Sequence, residues 1–239
     1  MYNNKNVIIT GSSGGIGKSL VAAYAGLGAR VFAIDVVNPE QESENVIYCN
    51  LDQRNSLEVN EFFRNLTAIY GQAHILINNA AVSRFNKSIF DISDEEFRNV
   101  IDVNLCGVFY CCRAFVHANK GAGYGRIINI ASTRWLQNEP GWEAYGASKG
   151  GLVSLTASLA VSLSDESVTV NAISPGWIET GDYALLREQD HKQHPAGRVG
   201  KPMDIVKACL FLSDPENDFI NGENLVVDGG MTKKMVYIE

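Results

Sequence analysis

Two periodicities alternate along the chain. Short apolar runs rich in β-branched residues recur at "VIIT" (7–10), "RVFAID" (30–35), "VIYCNL" (46–51), "ILINNA" (75–80), "RIINIAS" (126–132), "VTVNAISPG" (168–176) and "NLVVDGG" (224–230). Most are apolar at successive positions, as in strands covered on both faces of a parallel sheet. Between them lie longer segments with helical spacing. Leu57, Phe62, Leu66 and Ile69 mark one stripe. Phe97, Ile101, Leu105 and Val108 begin another, behind a capping pair of Ser93 and Glu96; Leu152, Leu155, Leu159 and Leu163 mark a third. The alternation predicts an α/β fold, a Rossmann-type doubly wound parallel sheet of about seven strands with helices on both faces. No internal repeat, low-complexity tract or linker composition divides the chain. Residues 1–239 are therefore expected to form a single domain.

In such a sheet, ligands bind beyond the carboxyl ends of the strands. The first strand runs into "TGSSGGIGKSL", with Gly11, Gly15 and Gly17. These glycines suit a tight turn that lets the backbone approach a pyrophosphate at a helix N-terminus. An ordinary strand-to-helix turn would need only one or two of them. The second strand ends at Asp35, close to the usual distance of about 20 residues past the glycines. A carboxylate there can accept both ribose hydroxyls of adenosine and would repel a 2′-phosphate, which favours NAD over NADP.

Composition narrows the partners. The 239 residues carry a formal net charge of -7, so no basic surface attracts nucleic acid or anionic lipid. The 46% hydrophobic content allows a sizeable core. The opening "MYNNKNVIIT" lacks the basic start, long apolar run and cleavage site of a signal peptide. No uninterrupted apolar run approaches the ~20 residues needed to span a bilayer. Cys49, Cys106, Cys111, Cys112 and Cys209 form no C-x-x-C pair, and all five read as buried, inert thiols. A reduced cytoplasm is the expected compartment.

One more stretch carries chemistry: "EAYGASKGGL" (143–152), in which Tyr145 and Lys149 fall one helical turn apart. Taken with "TGSSGGIG", "NNAA" (78–81), "VN" (103–104), Ser132 at the end of "IINIAS", "SPGWIET" (174–180), "GRVGKPMDI" (197–205) and "VVDGG" (226–230), it resembles the classical short-chain dehydrogenase/reductase family over nearly the whole chain. The resemblance implies a nicotinamide-dependent oxidoreductase acting on CH–OH groups, with Asn104, Ser132, Tyr145 and Lys149 as catalytic residues. It implies that Lys149 also bonds the nicotinamide ribose, that Ser132 orients the substrate oxygen, and that Asn104 holds a water linking Lys149 to solvent. The implied cofactor contacts are Gly11, Ser13, Gly15, Ile16, Gly17, Asp35, Asn50, Leu51, Asn79, Ala80, Tyr145, Lys149, Pro175, Gly176, Ile178 and Thr180. Asn50 replaces the family's usual acid at the adenine; an amide can still donate and accept there. Ala81 replaces the usual final glycine of "NNAA" and adds a methyl near the nicotinamide side.

Tyr145 would work as the acid–base group. A free phenol titrates near ~10. An ammonium at ~4 Å and an effective dielectric of ~20 offers about 4 kcal/mol before desolvation. That would supply most of a shift of roughly two or three pKa units, and the positive nicotinamide ring helps. The small residues between Tyr145 and Lys149 are expected to leave substrate and cofactor unobstructed.

The substrate is expected to meet Arg84, the loop 133–142 with Arg134, Gln137, Asn138 and Glu139, neighbouring Glu143, and a substrate loop around 181–199. These polar segments favour a sugar, polyol or hydroxy acid. Glu188, His191 and His194 meet no strict metal motif. Two other readings are an NADPH-dependent 3-oxoacyl-carrier-protein reductase and a non-catalytic dinucleotide sensor. Asp35 and the absence of a basic residue in "DVVNPE" disfavour the first; the filled catalytic positions disfavour the second. The tail 231–239, "MTKKMVYIE", is apolar enough to need a covering surface. The family implies a homotetramer, so the tail is expected to pack on a neighbouring subunit; folding back on its own subunit is the alternative.

Overall fold

Seven parallel strands form one sheet in the order β3-β2-β1-β4-β5-β6-β7. The computed structural model describes residues 2–37, 44–83 and 85–235. The strands are β1 (Asn6–Thr10), β2 (Arg30–Asp35), β3 (Val46–Asn50), β4 (Ile75–Asn78), β5 (Gly125–Ile130), β6 (Val168–Pro175) and β7 (Asn224–Val227). The helices are α1 (Gly15–Gly26), α2 (Ser56–Tyr70), α3 (Asp94–Ile101), α4 (Gly107–Asn119), α5 (Glu143–Ser162), α6 (Glu188–Lys192) and α7 (Pro202–Ser213). A π-helical turn, Asp102–Cys106, joins α3 to α4. β1 pairs with β2 on one side and β4 on the other, so the strand order reverses there. A crevice therefore opens at the carboxyl ends of β1 and β4.

Alternate strand residues feed two cores. Ile8 and Phe32 pack with Phe63, Phe115 and Leu152 beneath α2, α4 and α5. Val7 and Ile9 pack with Leu20, Tyr24, Ile205 and Cys209 beneath α1 and α7. Each such side chain contributes about 1.5–3 kcal/mol on burial. This is the expected doubly wound sheet, and it explains why the strands read as continuous apolar runs.

The strand ladders stop short of the apolar runs. "NA" after β4, "AS" after β5 and "DGG" after β7 leave the sheet and become the crevice loops. The capping pair at α3 is present: the Ser93 hydroxyl accepts from the Glu96 amide (3.2 Å), and the Glu96 carboxylate accepts from the Ser93 amide (2.8 Å). The expected stripe on α2 is corrected. Val59, Phe63 and Leu66 face the core, whereas Leu57 and Ile69 are exposed. Leu57 precedes Val59 by about 200° of helical turn, on the opposite face. Apolar residues on both faces hid the true register.

The helical run Asp94–Asn119 is long and apolar enough to cross a bilayer by length and composition alone. Its apolar residues Val100, Val108, Cys111, Cys112 and Phe115 are buried in the protein's own interior. Cys111, Cys112 and Cys209 are fully buried, and burial pushes all three thiols up. Cys49 and Cys106, expected to be buried, are half-exposed; burial still raises both, Cys49 to about 11. His191 accepts from the Val199 amide (3.2 Å) and His194 lies against the Asp190 carbonyl (3.3 Å). No group of three His, Cys, Asp or Glu able to hold a metal is present among the described residues.

The first part of the tail folds back on its own chain. Met231–Lys233 forms a single 3-10 turn. Gln137 donates to the Thr232 carbonyl (3.2 Å), and Lys234 donates to the Lys192 carbonyl (3.1 Å). Residues 236–239, on which the inter-subunit expectation chiefly rested, lie outside the described residues, as does Arg84.

Candidate active site

A cleft of about 1870 Å³ runs along the carboxyl edge of the sheet, from Asp35 after β2 to Trp177 after β6. At its floor, the loop after β1 is held in place by close contact. A methylene on Gly17 would sit 2.0 Å from the Gly11 carbonyl oxygen, and one on Gly15 would sit 2.4 Å from Thr180 Cβ. Gly11 has a φ of +67°, a conformation that favours glycine. The N-terminus of α1 has no side-chain cap and no acidic residue in its first turn. Its free N–H groups are suited to an anion.

Asp35 stands at the end of β2, lining the same cleft. Its carboxylate accepts from the Ser13 amide (2.9 Å) and the Val37 amide (3.2 Å), which fixes it beside the glycine loop. Asn50 donates to the Val36 carbonyl (3.2 Å), so part of its expected adenine-facing capacity serves the fold. Leu51 is buried and lines the cleft. Asn79 and Ala80 are pinned by Thr10, whose hydroxyl accepts from both amides (3.2 and 3.1 Å). Sequence reasoning missed this role for Thr10. Ala81, Pro175, Gly176, Ile178 and Thr180 also line the cleft.

Ser132, Tyr145 and Lys149 come together where β5 ends and α5 begins. A buried polar ladder seats α5 on the sheet. Asn78 donates to Asn129 (2.8 Å), Asn129 donates to Thr156 (2.9 Å), and Thr156 donates to the Leu152 carbonyl (2.9 Å). Satisfied buried polar groups fix a helix more specifically than apolar packing alone. The asparagines in "ILINN" and "IINIAS" were the available signal.

Lys149 is buried, and its ammonium donates to the Ile130 carbonyl (2.7 Å). Burial pushes it down to about 7. Its Nζ lies 5.5 Å from the centre of the Tyr145 ring. Tyr145 is raised above its ordinary 10.0: burial dominates, opposed by the Ser132 hydroxyl and then by the Arg134 charge. Burial thus outweighs any lowering of the phenol by Lys149. The lysine is turned to the end of β5, where burial disfavours its charged form.

The small residues between Tyr145 and Lys149 also have a different purpose. Gly146 gives room to Asn138, whose Oδ1 would lie 2.5 Å from an added methylene. Ser148 is buried, donates to the Tyr145 carbonyl (2.7 Å) and accepts from Asn104 (3.1 Å). Asn104 is fully buried in the π-helical turn. Its side-chain oxygen accepts from the Val82 amide (2.8 Å), and its nitrogen donates to the Val82 carbonyl (3.3 Å). It thus clamps the loop segment after Ala81 to α5.

Of the substrate-facing residues expected from sequence, Arg134, Gln137, Asn138 and Glu139 line the cleft. Glu143 instead turns to the Gly141 amide (3.4 Å). In the segment 181–197, Gln193 alone among the described residues reaches the cleft. Its neighbours are tied locally, as in the Arg187–Asp190 pair (2.8 Å). Trp142 and Trp177, not singled out beforehand, form apolar walls.

The family model described as enoyl-(acyl carrier protein) reductase matches residues 11–232. A Thermotoga maritima protein described as an uncharacterized oxidoreductase is 44% identical, with 100% of both chains covered. A 3-oxoacyl-[acyl-carrier-protein] reductase of Chlamydia trachomatis is 33% identical over 95% of this chain and 97% of its own. The solved structure of an apo SCOR enzyme from Clostridium thermocellum matches with a TM-score of 0.89 and 38% identity, covering 98% of this chain and 95% of that one. A short-chain dehydrogenase from Leptospira borgpetersenii with bound NAD+ matches at 0.88 and 33% identity, covering 97% and 94%. ElxO with NADP bound matches at 0.88 and 27% identity, covering 96% and 99%. With a family model spanning most of its length and relatives this similar end to end, the chain belongs to the classical short-chain dehydrogenase/reductase family of oxidoreductases.

Proposed function

We propose that this single-domain enzyme is an NAD-dependent dehydrogenase. It would interconvert a secondary alcohol and a ketone on a small polar substrate. The observation that carries the reading is one cleft with Asp35 at one end and Ser132, Tyr145 and Lys149 at the other. The cradle fits a dinucleotide. The uncapped α1 N-terminus and the crowded glycines Gly11, Gly15 and Gly17 would hold its pyrophosphate. Asp35, with Asn50 and Leu51, would hold the adenosine. Ser13, Ile16, Asn79, Ala80, Pro175, Gly176, Ile178 and Thr180 complete the proposed contacts.

When bound, the dinucleotide supplies the hydride acceptor, and its nicotinium charge favours the phenolate of Tyr145. Ser132 orients the carbinol oxygen, while Tyr145 Oη takes its proton in oxidation and returns it in reduction. Lys149, pushed down to about 7 by burial, takes up and releases a proton beside the phenol, with the Ile130 carbonyl keeping its Nζ in place. Asn104 acts through the clamp on Val82 and Ser148.

The test is cofactor choice. Wild type is expected to prefer NAD over NADP by at least tenfold in kcat/KM, since like charges in a partly enclosed site cost several kcal/mol. Asp35→Ser with Val36→Arg should relax or invert that preference by removing the repulsion and adding a phosphate partner. Equal wild-type kinetics with both dinucleotides would mean that Asp35 does not meet the ribose.

A second reading, an NADPH-dependent 3-oxoacyl-carrier-protein reductase, is favoured by the description of the Chlamydia trachomatis relative. Asp35 and the absence of Lys or Arg among residues 35–37 speak against it. Turnover of a 3-oxoacyl thioester with NADPH would support it. A homotetramer belongs to the first reading: Phe97, Phe109, Phe211 and Phe219 are exposed in the single chain, and native mass checks the assembly.

A further inference from the structure

We propose that the substrate carries a carboxylate, held by Arg134 next to the reacting carbon. The inference rests on the dehydrogenase reading and narrows its substrate class. Arg134 follows Ser132 by two residues, inside the 3-10 turn Thr133–Trp135. Its backbone amide donates to the Ser132 hydroxyl (3.3 Å), so its position is tied to the group that meets the substrate oxygen. Its guanidinium carbon lies over the Trp142 ring, 4.0 Å from the centroid. Trp142 in turn meets the Tyr145 ring edge-on, 5.6 Å between centroids at 75°. This stack holds one cation at a fixed place beside the phenol.

The cation has spare capacity. A guanidinium presents five donors in a rigid fork. Nη2 donates to the Glu139 carboxylate. No protein acceptor meets Nε or Nη1 among the described residues, and the side chain lines the cleft. Glu139 is 68% exposed while Arg134 is 22% exposed, and both line the cleft. Glu139 shows that the fork takes a carboxylate through Nη2, with Nε and Nη1 not used by that contact. Exposed pairs of this kind hold weakly, so the pairing does not cancel Arg134 as a recognition group.

Among the described residues, the other basic groups in the cleft are committed elsewhere. Lys149 is bound to the Ile130 carbonyl, Lys234 to the Lys192 carbonyl, and Arg54 to Asp52 at the opposite end. The neutral Gln137, Asn138, Trp177 and Met231 and the acidic Glu139 and Glu179 also line the cleft. The Arg134 fork beside the phenol fits a 2- or 3-hydroxy acid, or the matching oxo acid. It gives no advantage to a neutral sugar, polyol or thioester.

The experiment compares C3–C6 2- and 3-hydroxy acids with their primary amides, using NAD, and the matching oxo acids with NADH. The amide keeps size and shape and removes the charge. Wild type is expected to favour the acid by at least tenfold in kcat/KM. Arg134→Gln should bring the acid-to-amide ratio to about 1, Arg134→Lys should retain part of it, and Glu139→Gln should widen it by removing the competing carboxylate. Turnover of amides or other neutral alcohols without preference for acids, or a ratio unmoved in Arg134→Gln, overturns the carboxylate inference and leaves the dehydrogenase reading standing. Turnover of neither class, in protein that binds NADH by fluorescence titration, overturns both.

Discussion

Tyr145→Phe is expected to lower kcat by about 10²–10⁴-fold while leaving the affinity for the dinucleotide within a factor of about two. The phenol's contribution is the proton it moves. Its ring, which packs edge-on against Trp142, is retained in phenylalanine, so the wall of the cleft stays intact. Burial already disfavours the charged form of Tyr145 in the protein alone. The enzyme therefore depends on charges that arrive with the reactants, in addition to Ser132 and Arg134, to bring the phenol into range. A variant that kept more than a tenth of wild-type turnover would remove Tyr145 from the chemistry. Hydride transfer followed in a single turnover, beside a dinucleotide titration, separates the two effects.

The layout of the sheet was legible because burial on both faces leaves no polar alternation in its strands. The cap at Ser93 was legible because it is a contact between residues three apart. Tyr145 and Lys149 were likewise legible as a pair, being one turn apart on a helix. What they do to each other was not. The direction of Lys149 depends on the Ile130 carbonyl at the end of β5, and no spacing in the sequence reports that contact. The same holds for Arg134, whose meaning comes from stacking on Trp142 across a loop. The glycine and serine between Tyr145 and Lys149 were read as clearance for ligands, whereas they accommodate Asn138 and Asn104. The register of α2 failed for a different reason. Leu57 and Ile69 are apolar but exposed, so hydrophobicity on that helix is not confined to one face.

Lys149→Met is expected to trade activity for stability at neutral pH. The variant removes the amine that lies beside the phenol and would meet the nicotinamide ribose, and kcat should fall by about 10²-fold or more. Stability moves the other way. The folded-state pKa of Lys149 is about 7, set by burial. An unfolded lysine titrates near ~10.4. Between about pH 7 and pH 10 the unfolded chain binds a proton that the folded chain does not, so wild-type stability rises with pH across that window. Below about pH 7 both states are protonated and the full burial penalty applies. At about 1.4 kcal/mol per pKa unit, that penalty reaches several kcal/mol. Methionine carries no proton and fits a buried site, but it leaves the Ile130 carbonyl without its donor, a loss of about 1–3 kcal/mol at any pH. The two stability curves should therefore cross: the variant is more stable at pH 6–7 and less stable near pH 10. Urea unfolding at pH 6, 8 and 9.5 reads this directly. Parallel curves for wild type and variant would show that Lys149 keeps its ordinary proton in the folded protein, and that the fold bears no penalty for placing it at the site.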